Sequence, residues 1–247
     1  MSKLWEEKLP KIDLPIYEIQ LPSNSKKIKI RPFIVREEKL LLMAIESQDD
    51  MEIINTTKQI INNCIIDSTI NIESLPFFDV DYLFIALRAK SVGESIEIKF
   101  TCNNVVNDQI CNKVFPAKID IANVSIVKDD SISNMIDLGK GACIKMKYPN
   151  YTTMKMILDN DNIMNKQINI IAGSIEQIVN GHNVYTTKDL TKEEIINFIE
   201  GLTKEQYSKL ENFINNLPSF EVNSVATCSK CGFEHNLTYS DFTSFFV

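Results

Sequence analysis

Cys228-Ser229-Lys230-Cys231-Gly232 is the stretch on which the reading of this chain turns. A CxxCG turn lets two sulfurs converge while backbone amides point at them, and a closed site needs two further ligands. Cys102 and Cys111 supply them from far upstream, each beside a segment that alternates like a strand. Ser95-Ile96-Glu97-Ile98-Lys99-Phe100-Thr101 changes from polar to apolar with period two and delivers Cys102 at its tip. Lys113-Val114-Phe115 and Ala117 to Ile119 lead away from Cys111. Phe220 to Thr227 runs into Cys228, and Phe233 to Tyr239 runs out of Cys231. Two hairpins tied by one metal make a zinc ribbon, with Cys102, Cys111, Cys228 and Cys231 around a structural Zn2+ ion.

The cysteines admit other readings. The first pair is Cys-x8-Cys, wider than an ordinary knuckle, and the competing view makes Cys102 and Cys111 buried small hydrophobes. A redox CxxC is disfavoured, because no thioredoxin-like strand and helix surround it. His235 is an alternative ligand, although four residues past Cys231 on an alternating strand its expected place is the surface. Cys64 falls on the apolar stripe of a helix and Cys143 in a strand-like run, so both read as packing residues.

Composition narrows the classes. The chain has 247 residues, 44% apolar and 24% charged, ordinary for a soluble globular protein. No run approaches the ~18 apolar residues of a membrane span, and Met1-Ser2-Lys3-Leu4-Trp5-Glu6-Glu7 does not read as a signal peptide. A reducing compartment is expected, where six cysteines suggest metal before disulfides. The net charge of −7 argues against general nucleic-acid binding, which needs a cationic footprint. Two histidines, no HExxH and no GxSxG leave no catalytic constellation. Gly139-Lys140-Gly141 lacks the spacing of a phosphate loop.

In chain order, Ile16 to Leu21 and Lys27 to Arg31 alternate around Pro22-Ser23-Asn24-Ser25 and predict a β-hairpin behind an extended arm. Helices follow over 36–47 and 51–66, and a third is capped by Asp79 and buries Val80, Leu83, Phe84 and Leu87. Residues 122–133 read as polar and irregular, and a hairpin forms around Gly139-Lys140-Gly141. Helices are predicted over 150–160 and 163–179, the latter stopped by Asn180-Gly181, before a polar loop that carries a solvated His182. Capping boxes Thr191-x-x-Glu194 and Thr203-x-x-Gln206 open the last two helices, and Pro218 ends them.

Several short motifs occur in a telling order. Leu21-Pro22-Ser23, Arg31-Pro32-Phe33, Glu37-Glu38-Lys39-Leu40-Leu41 and Ile45-Glu46-Ser47 are followed by Asp81-Tyr82-Leu83 and Leu87-Arg88-Ala89-Lys90-Ser91-Val92-Gly93. With the two cysteine pairs and Phe245-Phe246 near the end, the sequence resembles the baseplate hub protein family of T-even-type contractile-tailed bacteriophages. The resemblance covers residues 15–102 well and 218–247 moderately. The family's first cysteine pair is normally close, so the loop Asn103 to Ile110 is an insertion expected to return the chain to the metal. What the resemblance implies is a non-enzymatic structural or assembly role in the virion tail baseplate, put together in the host cytoplasm. Its implied partners are other baseplate and tail-hub proteins, with no nucleic acid, membrane or small-molecule substrate.

The expected fold class is α+β: a helical body, an N-terminal β-hairpin and a four-cysteine zinc-ribbon-like element built from sequence-distant strands. The expected division is 1–93 for arm, hairpin and three helices, 94–121 plus 219–247 for the split ribbon and Phe-rich tail, and 122–218 for an inserted hairpin and helical unit, the three forming one intertwined body. Trp5, Phe242, Phe245 and Phe246 are the candidate partner contacts, since aromatics are costly to expose and anchor interfaces. The alternative reading packs the arm on its own domain and, as the preferred reading of the tail, folds the phenylalanines back on the chain's own helices. The rival function is a zinc-ribbon nucleic-acid-binding or transcription-associated protein, supported by the cysteines and opposed by the charge.

Overall fold

The computed structural model describes residues 12–239 apart from 68, 123, 152, 154–162 and 188. Strands β1 (Tyr17–Gln20) and β2 (Lys27–Ile30) form the expected antiparallel hairpin, with Tyr17 opposite Ile30. Alternation does the sorting, since Ile28 and Ile30 turn inward while Lys27 and Lys29 face water. Helices α1 (Val35–Ser47) and α2 (Asp50–Cys64) are separated by a tight turn in which Gln48 adopts a φ of 56° and Asp49 caps α2 through the Met51 and Glu52 N–H groups. Their inward faces meet α3 (Phe77–Ser91) and the hairpin in a first core built on Leu21, Ile30, Leu41, Ile61, Leu83 and Phe84.

The α3 helix is apolar nearly all round, which is the pattern of a helix buried on two sides. Its Leu83, Phe84 and Leu87 face the first core, while Ile85 and Ala89 face a second cluster with Ile96, Ile119, Phe220 and Val222. That second cluster is where the ribbon rests on the helical body. Asp79 does not cap this helix: Pro76 occupies the cap position, and the fully buried Asp79 carboxylate accepts the N–H and the hydroxyl of Ser23 in the hairpin turn. Burial pushes its carboxyl above the usual range, only partly offset by the two Ser23 donors.

The ribbon consists of β3 (Ser95–Thr101) paired with β6 (Val114–Asp120), and β12 (Ser219–Thr227) paired with β13 (Glu234–Tyr239). Between β3 and β6 lies a miniature hairpin of β4 (Val105–Val106) and β5 (Gln109–Ile110). The two long hairpins lie side by side through β6 and β12, with the Ser224 hydroxyl donating to the Lys118 carbonyl at 2.9 Å. The stretch expected to be irregular contains a short strand, β7 (Ser125–Val127), which pairs with the start of β12.

The excursion between the two halves of the ribbon has its own sheet, ordered β11-β10-β9-β8. Strands β8 (Met135–Gly139) and β9 (Ala142–Met146) form the expected hairpin. The helix expected over 163–179 stops earlier: α4 runs Ile163–Ser174 and the chain continues as strand β10 (Ile175–Asn180). β-branched Ile175, Ile178 and Val179 suit a pleat, and β9 offers an edge opposite them. Asn180-Gly181 is therefore a hairpin turn, with Gly181 at a φ of 60°, leading into β11 (Asn183–Thr186) where a loop was expected. His182 is exposed at that turn.

Both capping boxes are present, opening α5 (Lys192–Glu200) and α6 (Lys204–Asn215). These helices and α4 cover the sheet around Ile144, Met146, Ile171, Ile199, Leu210 and Phe213. Tyr148 joins the two helical regions, meeting Phe78 of α3 edge-on at 5.1 Å and stacking on Phe213 of α6 at 5.9 Å. The helix expected over 150–160 falls mostly outside the described residues, as do Trp5, Phe242, Phe245 and Phe246.

Candidate metal centre

Each end of the ribbon is a knuckle, and the two share one hydrogen-bond plan. In the second, the Cys228 N–H donates to the Phe233 carbonyl at 2.9 Å, and the Gly232 N–H donates back to the Cys228 carbonyl at 2.9 Å. In the first, the Cys102 N–H donates to the Lys113 carbonyl at 2.9 Å, and the Asn112 N–H donates to the Cys102 carbonyl at 3.0 Å. The residue after the second cysteine is left-handed in both, at a φ of 72° for Gly232 and 49° for Asn112. Glycine and asparagine are the residues that adopt this conformation most readily. The wide first spacing is thus a knuckle with a six-residue outgrowth, Val105 to Ile110, closed at its base by the Cys111 N–H donating to the Asn104 carbonyl at 2.8 Å. Asn107 and Asp108 at its tip both have positive φ, as a two-residue hairpin turn requires.

All four sulfurs lie within 4.8 Å of one another. Cys102 and Cys231 are 3.6 Å apart, and Cys111 and Cys228 are 3.9 Å apart. A disulfide needs ~2.0 Å, whereas four sulfurs at ~2.3 Å from a shared zinc sit about 3.8 Å from each other in a tetrahedron. The spacing and the all-sulfur donor set fit a closed structural zinc site. Cys102, Cys111 and Cys228 are buried, and the surrounding cluster of Phe115, Ala117, Ala226 and Leu237 is apolar.

The N–H groups around the sulfurs are arranged for thiolates. The Phe233 N–H, and after it the Asn104 side-chain amide at 3.7 Å, hold the Cys231 thiol down at about 6. Burial works to raise the Cys228 thiol, but the Cys231 and Lys230 N–H groups outweigh it and leave it below its ordinary value. Cys102 is different: burial pushes it up to about 12, with the Asn104 N–H opposing. A divalent cation would convert this uneven set into four thiolates, because metal binding displaces the remaining protons.

The structure thus brings together the four cysteines singled out in the sequence. Cys64 is fully buried in the first core as expected, its sulfur 3.7 Å from the Glu37 carboxylate, and Cys143 is half-buried in β9. His235 is not on the surface: it is 6% exposed, with Nε2 at 3.2 Å from the Cys102 sulfur. The alternation itself places it there, since Glu234 and Asn236 point out while His235 and Leu237 point in. Asn104, which offers both its backbone and its side chain to the sulfurs, carried no signal in the sequence.

Fold and site together define an α+β protein in which two sequence-distant hairpins meet in a split, cysteine-built ribbon whose four sulfurs could hold a metal. Residues 14–247 match the family described as T4 bacteriophage base plate protein, and the chain belongs to that family. Comparison with curated proteins found no match, and neither did comparison with solved structures. Membership supports a structural role in the phage tail baseplate and contacts with other tail proteins. Among the described residues no helix is long and apolar enough to cross a membrane.

Proposed function

We propose that this chain is a non-enzymatic subunit or assembly factor of the hub of a contractile-tail baseplate, its ribbon locked by one structural Zn2+ on Cys102, Cys111, Cys228 and Cys231. The family match over nearly the whole described chain carries the reading. The four-sulfur cluster supports the zinc, and an all-thiolate set leaves no open position for a substrate. Residues 1–93, the ribbon of 94–121 and 219–247, and the inserted unit of 122–218 then act as one intertwined body. Trp5, Phe242, Phe245 and Phe246 serve as contacts to neighbouring hub proteins, and assembly proceeds in the host cytoplasm.

Quantitative mass spectrometry of gradient-purified tails and of assembly intermediates tests the role. A fixed ratio to other hub proteins in finished tails marks a structural subunit, and presence only in intermediates marks an assembly factor. Sedimentation with neither removes the hub reading. Elemental analysis of the purified protein should find one zinc per chain, and none in Cys228→Ser.

A further inference from the structure

We infer that His235 is a side-chain hydrogen-bond donor to the Cys102 sulfur of the metal centre, and that it is not itself a ligand. The inference rests on the zinc reading above and adds a residue to it. A tetrathiolate zinc carries a net charge of −2, and a buried anion needs N–H groups directed at its sulfurs. The knuckle backbone meets that need at Cys228 and Cys231. At Cys102 the backbone contributes only the Asn104 N–H, and the imidazole Nε2 of His235 stands 3.2 Å from the sulfur. A thiolate can only accept, so the nitrogen facing it carries the hydrogen.

Two observations separate donor from ligand. The set of mutually close groups is made of the four sulfurs, and His235 lies outside it, touching one sulfur. The ring is also fixed by packing: its centroid lies 4.9 Å from that of Phe100, 4.8 Å from Phe233 and 6.1 Å from Phe115. The side chains of these three phenylalanines carry no hydrogen-bonding group. They form an apolar holder that aims one imidazole edge at Cys102, in a strand position that would otherwise take an aliphatic residue like Leu237.

The test compares the full chain with His235→Phe, which keeps a ring in the holder, and His235→Gln, which keeps a side-chain N–H. Each is titrated with Co(II) against a competing chelator, following the ligand-field and thiolate-to-metal charge-transfer bands. His235→Phe should bind about 10- to 100-fold more weakly, the usual effect of losing an outer hydrogen bond. Its ligand-field bands should stay those of four sulfurs while the charge-transfer band moves, and His235→Gln should recover part of the affinity. Equal affinity in His235→Phe and the parent overturns the inference, as does a ligand-field spectrum showing the loss of a nitrogen ligand. Should His235→Phe fail to fold, His235→Leu replaces it as the variant without a donor: tighter Co(II) binding by His235→Gln than by His235→Leu, with four-sulfur bands in both, upholds the donor, and equal binding or the loss of a nitrogen ligand overturns it. A parent protein that binds no Co(II) is a distinct outcome, which removes the metal reading itself.

Discussion

Glu37 is buried yet charged, and Arg31 is the reason. The guanidinium donates to both carboxylate oxygens at 2.9 and 2.8 Å, and the Ile34 N–H adds a third bond at 2.9 Å at the start of α1. Burial works to raise the Glu37 carboxyl, but these partners outweigh it and leave it below its ordinary value. Its stabilisation is therefore present above the usual glutamate range and lost as pH falls through the lowered folded value. Asp79 has the opposite sign, because its folded carboxyl is raised and stability falls as pH rises from the usual aspartate range through that value. Glu37→Gln should cost about 2 to 3 kcal/mol at neutral pH, the worth of hydrogen bonds to a charged group, and should flatten the acid limb in denaturant titrations. Asp79→Asn should instead remove the decline on the rising side. The motifs that suggested the family are held together by these bonds: Ser23 binds Asp79, Arg31 binds Glu37, and the Ser91 hydroxyl accepts the Phe33 N–H at 2.9 Å. Their order was legible in the sequence, whereas their pairing needed the fold, since Ser23 and Asp79 are 56 positions apart.

Among the elements, legibility followed how local the deciding force is. The two threonine capping boxes and strands of strict alternation such as β3, β6 and β13 are set by neighbours a few residues away, and their positions could be read directly. β10 could not, because Ile175 to Asn180 continues a helical pattern and becomes a strand only when the distant β9 offers it an edge. β7 is three residues long and has no meaning apart from β12. The first knuckle gives the sharpest element-level expectation. Deleting Val105 to Ile110 joins Asn104 to Cys111 across a hydrogen bond already 2.8 Å long and leaves Cys102-Asn103-Asn104-Cys111, a spacing like that of the second knuckle. This shortened chain should keep its full zinc content, measured by elemental analysis, and a loss of metal would show that the outgrowth shapes the site. Thr191→Ala, which removes the hydroxyl cap of α5, should cost about 1 kcal/mol in thermal or denaturant unfolding.

At the scale of the whole molecule the ribbon links segments far apart in sequence: Cys111 and Cys228 are 117 positions apart. Metal binding in such a site is coupled to folding and amounts to roughly 10 kcal/mol or more, comparable to the stability of a domain. Chelation or Cys228→Ser should therefore raise hydrogen exchange in Ser95–Asp120 and Ser219–Tyr239 together, while α5 and α6 keep their protection. Identical melting with and without chelator would show that no metal contributes. The four cysteines could be picked from the sequence because zinc chemistry restricts their number and kind. The role of His235 could not, since a histidine on the inward face of a strand has no fixed meaning until its neighbours are known.

The return of β12 to pair with β7 and pack along β6 also has a consequence for synthesis. The first knuckle is translated long before the strands of 219–239 that complete it, and closing a loop of this length becomes worthwhile only when its far end exists. A chain cut short by a nonsense codon or a protease has two of the four sulfurs and an uncovered sheet, so it cannot close. The two hairpins of the ribbon can therefore pair only after translation has passed Tyr239.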